Sequence, residues 1–157
     1  MVDNMLLKSY QAGKGPFVRR KNAKELSRRL IQELDIVTPG IDTPVRQLSG
    51  GNVQKVLLGR EIESNPNVLI TAYAVRGLDI NSSYTIYDAL NTQKKKGVGV
   101  LFIGEDLDVM LELCDRIMVL CHGRVTGIVD ARSATKEQLG LMMTGAGEHG
   151  EGEDTHD

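Results

Sequence analysis

A serine and two glycines, Ser49-Gly50-Gly51, lead directly into a stretch with helical apolar spacing: Val53, Val56, Leu57 and Ile62. The glycines free the backbone where a helix begins, and the serine supplies a hydroxyl at the same place. The first N–H groups of a helix have no partner within it, and the positive end of the helix dipole sits beside them. A Gly-rich turn feeding a helix N-terminus is therefore a device for holding an anion, and phosphate is its usual ligand. The same tripeptide also suits an ordinary capped turn, so by itself it leaves both readings open.

Composition narrows the setting. Of 157 residues 41% are hydrophobic, with two Phe, four Tyr and no Trp. This describes a globular chain with an aliphatic core, one domain long or part of a larger one. No apolar run reaches the ~18–20 residues that a membrane helix needs. The opening MVDNMLLKSYQ lacks a basic segment ahead of its short apolar patch, so no signal peptide is expected. Cys114 and Cys121 have no second pair to complete a metal spacing and suit a reducing compartment. Charge is uneven: residues 1–60 carry eleven Lys and Arg against five Asp and Glu, and the remainder eight against sixteen. Without interleaved aromatics or a binding motif, the basic third is not expected to take nucleic acid. A solvated helical face, or one near a membrane partner, accounts for it.

Along the chain, residues 1–20 are expected to be poorly structured, because Gly13, Gly15 and Pro16 interrupt them. Asn22 suits a helix cap, and Ala23, Leu26, Leu30, Ile31 and Leu34 mark one apolar face to about Asp35. A second helix from Gly51 stops near Ser64-Asn65-Pro66, which makes 21–64 a helical segment. Residues 65–144 read as an α/β segment. Val68-Leu69-Ile70 suits a buried parallel strand, Asn81 or Ser82 caps the next helix, and 98–103 form a second strand. A short helix over Leu107, Met110, Leu111 and Cys114 follows, then a hairpin turning at His122-Gly123. Thr135 with Gln138 opens a last helix to Met143. Residues 145–157 hold only Gly, acids and other polar or small residues, and are expected to be a disordered acidic tail. The alternation of strand and helix gives an α/β fold with a parallel sheet.

Four segments together carry a resemblance. LSGGNVQK (48–55) running into VLLGREI resembles the signature motif of ABC-transporter ATPases. RGLD (76–79) resembles the D-loop, and NVLIT (67–71) the strand that carries the Walker B carboxylates. DRIMVL (115–120) with HGR (122–124) resembles the family's DRI-x-VL-x-x-GR hairpin. Order and spacing agree over residues 42–129. TPVRQLSGGNVQK and RGLD look most like the second nucleotide-binding domain of the double-domain ATPases that drive sugar and nucleoside uptake. The resemblance implies the C-terminal part of such a domain: a partial P-loop NTPase core with parallel strands, a helical signature subdomain and a C-terminal hairpin.

Several hydrolytic positions depart from that family. G-x-x-x-x-G-K-[ST] does not occur, and in the family it lies upstream of the signature. Counting back from RGLD, the Walker B Asp position falls on Ala72 and the Glu position on Tyr73. Ala72 offers Mg²⁺ no oxygen, and Tyr73, with a side-chain pKa near ~10, is a poor base for water. The switch histidine aligns with Glu105, whose charge would repel a γ-phosphate. The resemblance then implies a contribution in trans. Ser49, Gly50, Gly51 and Gln54 would meet the γ-phosphate held by a partner's P-loop, and Asp79 would act in the D-loop contact. ATP and Mg²⁺ are expected only in a complex with a P-loop-bearing nucleotide-binding domain, and none in the isolated chain. Transporter membrane subunits are the other implied partners, which places the chain in the cytoplasm at the inner face of the membrane. A rival reading is a non-catalytic pseudo-ATPase fragment that docks without nucleotide. An exposed sheet edge would also allow a homodimer. No metal site is expected: His122 suits a hairpin turn, and His149 and His156 lie in the acidic tail.

Overall fold

A computed structural model describes residues 1–8 and 20–145. Its elements in chain order are α1 (Val2–Leu6), α2 (Arg20–Glu33), α3 (Gly50–Glu63), β1 (Val68–Ala72), α4 (Ile80–Lys95), β2 (Gly99–Ile103), α5 (Leu107–Leu113), β3 (Arg116–Cys121), β4 (Arg124–Asp130) and α6 (Lys136–Met143). They divide between two compact units, Met1–Ile103 and Gly104–Asp157. The boundary differs from the four-segment division expected from composition, because the helices around the signature share a unit with the parallel strands.

In the first unit, the apolar face of α2 supplies Ala23 and Leu30 to a core completed by Leu34, Ile36 and Val56. Met1, Val2 and Met5 are buried in the same cluster. The expectation of weak structure over 1–20 therefore fails at its start. The N–H of Val2 donates to the Ile41 carbonyl at 3.2 Å, and the Met1 ammonium to the Thr43 carbonyl at 2.6 Å. Val2, Met5 and Leu6 are apolar at helical spacing, and the glycines that mask this signal come later, in residues 9–19, outside the described residues. Asn22 lies inside the first turn of α2, since the helix begins at Arg20. α3 passes closely over α2 at Gly59, where a Cβ would stand 2.9 Å from Leu34 Cδ1 and 3.0 Å from Leu30.

β1 and β2 pair in parallel, from Val68 opposite Gly99 to Ala72 opposite Ile103, with α4 as the crossover. Side chains alternate across the sheet. Leu69, Thr71, Val100 and Phe102 face α4, whose Tyr87 ring meets Phe102 edge-on at 6.5 Å. Ile86 and Leu90 of α4 are buried. The other face carries Val68, Ile70, Leu101 and Ile103, all exposed. The strand read as buried on both sides is thus covered on one, because nothing among the described residues packs against the second. α4 is capped by Asp79, not by Asn81 or Ser82: Asp79 Oδ1 accepts from the Ser82 N–H at 2.9 Å. An aspartate ahead of a Ser-rich first turn captures the unpaired N–H groups better than the serines inside it.

The second unit is a β3–β4 hairpin with α5 and α6. The strands pair antiparallel from Arg116 opposite Asp130 to Cys121 opposite Arg124, with an irregularity at Val119/Leu120. His122 (φ 48) and Gly123 (φ 77) make the turn, and two left-handed residues match the twist of a two-residue hairpin. Ile117, Val119 and Leu139 of α6 are buried. Thr135 caps α6, accepting from the Gln138 N–H at 3.2 Å. Of the expected acidic tail, Gly145 is described and closes the turn after α6 at φ 73; 146–157 lie outside the described residues.

Candidate functional site

The N-terminus of α3 is built from three residues with separate tasks. Ser49 is the N-cap, and its Oγ accepts from the Asn52 N–H at 3.5 Å and from Asn52 Nδ2 at 2.8 Å. Asn52 is held in that orientation because its Oδ1 accepts from the Val37 N–H at 2.8 Å. With Asn52 donating twice to the Ser49 oxygen, the hydroxyl proton is left to point elsewhere, and Ser49 is exposed. The hydroxyl is thus available as a donor. Among the described residues, the N–H groups of Gly50 and Gly51 make no hydrogen bond, whereas Val53 N–H is bonded to the Ser49 carbonyl at 2.9 Å. Three donors are therefore presented at one helix end, where the dipole is positive.

The two glycines differ. Nothing lies within 4 Å of a Cβ placed on Gly50, and its φ is not left-handed. Neither packing nor backbone conformation demands glycine there. A Cβ on Gly51 would stand 2.9 Å from Ser82 Oγ and 3.8 Å from Asp79 Oδ2. Gly51 is buried because the first turns of α3 and α4 meet at this point. Asp79 lies at the same meeting. Its Oδ2 accepts from Ser82 Oγ at 2.8 Å. The Ser82 N–H and then the Ser82 hydroxyl hold its carboxyl below the usual value, and the Lys55 charge adds to this. Lys55 is buried, with Nζ donating to the Asp35 carbonyl at 3.0 Å, so it ties α3 to the chain after α2.

Of the residues singled out in the sequence, Ser49, Gly50, Gly51 and Asp79 come together at these two helix ends. Gln54 lies a turn further along α3 and lines a groove beside β1. Ala72 ends β1, at the carboxyl end of a parallel strand, where α/β folds place ligands. Tyr73 follows with φ 52, its N–H donating to the Ile103 carbonyl at 2.9 Å and its ring 5.8 Å from the Arg76 guanidinium carbon. Neither side chain offers a carboxylate, so this end of β1 does not fit Mg²⁺. Glu105 belongs to the second unit, in the turn ahead of α5. Among the described residues no three His, Cys, Asp or Glu are grouped to hold a metal ion. Asn52 is the residue that sequence reading passed over: its partner Val37 is distant along the chain, and only its place three after Ser49 hints at a capping role.

No protein-family model matches the chain. It is 38% identical over 149 residues to the guanosine import ATP-binding protein NupO of Bacillus subtilis, covering 92% of this chain and 29% of that protein. It is 39% identical over 115 residues to the xylose import ATP-binding protein XylG of Moorella thermoacetica, covering 73% of this chain and 23% of that protein. The chain thus spans about a quarter of the length of such relatives. Its fold matches the ATP-binding cassette MJ0796 bound to ADP and phosphate, at a TM-score of 0.71 and 20% identity, over 85% of this chain and 57% of that one. A metal-chelate type ABC transporter in an inward-facing conformation gives a TM-score of 0.75 at 14% identity, over 92% of this chain and 57% of that one. The fold is that of an ABC ATPase cassette with part of its P-loop NTPase core. The chain belongs to the ATP-binding proteins of ABC transporters, and its relatives are the sugar and nucleoside import members. No helix among the described residues is long and apolar enough to cross a membrane.

Proposed function

We propose that the chain is the C-terminal part of an import ATP-binding protein and supplies the signature side of an ATP site completed by a P-loop-bearing domain. One observation carries the reading. The N–H groups of Gly50 and Gly51, without a hydrogen bond among the described residues, stand beside an exposed Ser49 hydroxyl whose oxygen accepts from Asn52 and whose proton is open to donate. This donor set fits a phosphate and leaves room for one, since Gly50 faces open space. Gln54 and Asp79 would flank it, Gln54 from the α3 face and Asp79 from the D-loop. ATP supplies the phosphoryl group whose charge these donors meet when it is bound. The chain's own part is to orient and stabilise, because Ala72 and Tyr73 replace the carboxylates that would hold Mg²⁺ and position water. Sugar or nucleoside import is the process that the relatives' names support. The membrane-bound transporter subunits are the partners proposed with it, at the cytoplasmic face of the membrane.

Equilibrium binding of ATP with Mg²⁺ tests this division of labour. The isolated chain is expected to bind weakly, having one wall of a site. Mixing it with a P-loop-bearing cassette polypeptide is expected to tighten binding. Tight binding by the isolated chain, unaltered by the mixture, would contradict the reading.

A further inference from the structure

Lys55 is 4% exposed, and among the described residues its ammonium has one hydrogen-bond partner, the Asp35 carbonyl at 3.0 Å. Burying an ammonium against one neutral acceptor costs free energy, so stability does not account for it. Its geometry does. α2 ends on a turn in which the Ile36 N–H donates back to the Ile31 carbonyl at 3.0 Å, with Asp35 left-handed at φ 47. The left-handed position of such a helix end is usually glycine. Asp35 carries a Cβ there, so the turn needs support from outside itself. Two α3 side chains supply it, three residues apart and therefore neighbours on the helix surface. Lys55 takes the Asp35 carbonyl, and Asn52 Oδ1 accepts from the Val37 N–H at 2.8 Å. Ile36 between them is buried, whereas Val37 is 72% exposed. The other end of the Asn52 amide, Nδ2, donates to Ser49 Oγ at 2.8 Å. Lys55, the turn 35–37, Asn52 and Ser49 thus lie on one hydrogen-bonded circuit.

We propose that Lys55 is a positioning residue for the signature hydroxyl: by fixing the Asp35 carbonyl it sets the Val37 N–H, which holds the Asn52 amide in one orientation against Ser49. An amide turned end for end would put Oδ1 at Ser49 and draw the hydroxyl proton inward. The Val37 N–H excludes that arrangement, because a donor there demands the amide oxygen. With Nδ2 left to Ser49, the hydroxyl proton stays open to donate. Lys55 touches no phosphate in this account and acts through Asn52. Its partner is a backbone carbonyl, so the Asp35 carboxylate has no part. The effect on hydrolysis rests on the nucleotide reading, whereas the circuit itself does not.

Lys55→Met in the whole chain keeps the stem and removes the ammonium. Followed by NMR, the Val37 amide should exchange about tenfold faster, with no change in the Leu34 amide, which is bonded to Leu30 at the end of α2. A lysine that only braced the fold would speed both. In the complex assembled with a P-loop-bearing cassette polypeptide, Lys55→Met should lower kcat about tenfold with KM for ATP little changed. Lys55→Arg should restore both readouts. Asp35→Asn should alter neither, since the carbonyl stays and Asn tolerates the left-handed conformation. Lys55→Met combined with Asn52→Ala should be no slower than Asn52→Ala alone. Should Lys55→Met fail to fold, Lys55→Gln, neutral and too short to reach, is read in the same way. Unchanged Val37 exchange in the folded variant overturns the proposal. So do losses that add in the double variant, which would place the action of Lys55 outside the circuit. If Ser49→Ala leaves the rate unaltered, the nucleotide reading fails, and the Val37 exchange still decides the circuit.

Discussion

Gly50 and Gly51 are adjacent and chemically identical, yet only one of them has a structural reason to be glycine. A side chain at Gly51 meets Ser82, where the first turns of α3 and α4 approach. Gly51→Val should destabilise by about 1–3 kcal/mol, as overpacking does. Gly50→Ala meets nothing, and should leave the urea midpoint unchanged or raise stability by up to about 1 kcal/mol. The sequence showed both as freedom of the backbone and could not tell them apart, because the packing of Gly51 depends on Ser82, on the far side of β1. Asn52 was illegible for the same reason. Asn52→Asp keeps the oxygen that takes the Val37 N–H and puts an acceptor oxygen where the Nδ2 donor to Ser49 now sits, so the Ser49 hydroxyl should turn inward to donate to it. The assembled ATP site should then lose rate as it does for Ser49→Ala, with the fold retained. Asp79 gives a pH signature. Its folded pKa lies below the ordinary 3.8 through the Ser82 N–H and hydroxyl. Its contribution is therefore complete above the unfolded value and fades as pH falls through the folded one. Asp79→Asn should remove that part of the acid limb below pH 3.8 in an acid-unfolding titration.

At the scale of elements, local chemistry was legible where contacts are short in sequence. His122-Gly123 announced the hairpin, and Thr135 with Gln138 announced α6. The elements that depend on distant neighbours were read less well. α1 gains its burial from residues across the first unit, such as Ile36 and Val56, and nothing within its own five residues ensures it. β1 looked buried on both sides, since its apolar run has no alternation to betray a bare face. α4 anchors the covered side. Ile86 is 1% exposed, and Ile86→Ala should cost about 2–5 kcal/mol in urea unfolding. A smaller loss would mean that the β1–β2 face relaxes around the cavity and that α4 is a weaker support for the loop ending at Asp79 than its burial implies.

For the whole molecule, the family was legible because four motifs fall in the right order, and the order survives the departures at Ala72, Tyr73 and Glu105. What each departure does in an assembled protein was not legible, because those roles are defined by a nucleotide and a second wall. The central claim is that Ser49 and Gly50 act on a phosphate held by another domain. The most direct measurement is the ATP hydrolysis rate of the complex assembled with a P-loop-bearing partner, for Ser49→Ala and Gly50→Asp, with circular dichroism confirming the fold. Each variant should lower the rate by roughly 10²–10³, as loss of one preorganised donor or blocked approach does. Rates unchanged in both folded variants would contradict the claim and leave the signature segment as a capped turn in a docking module.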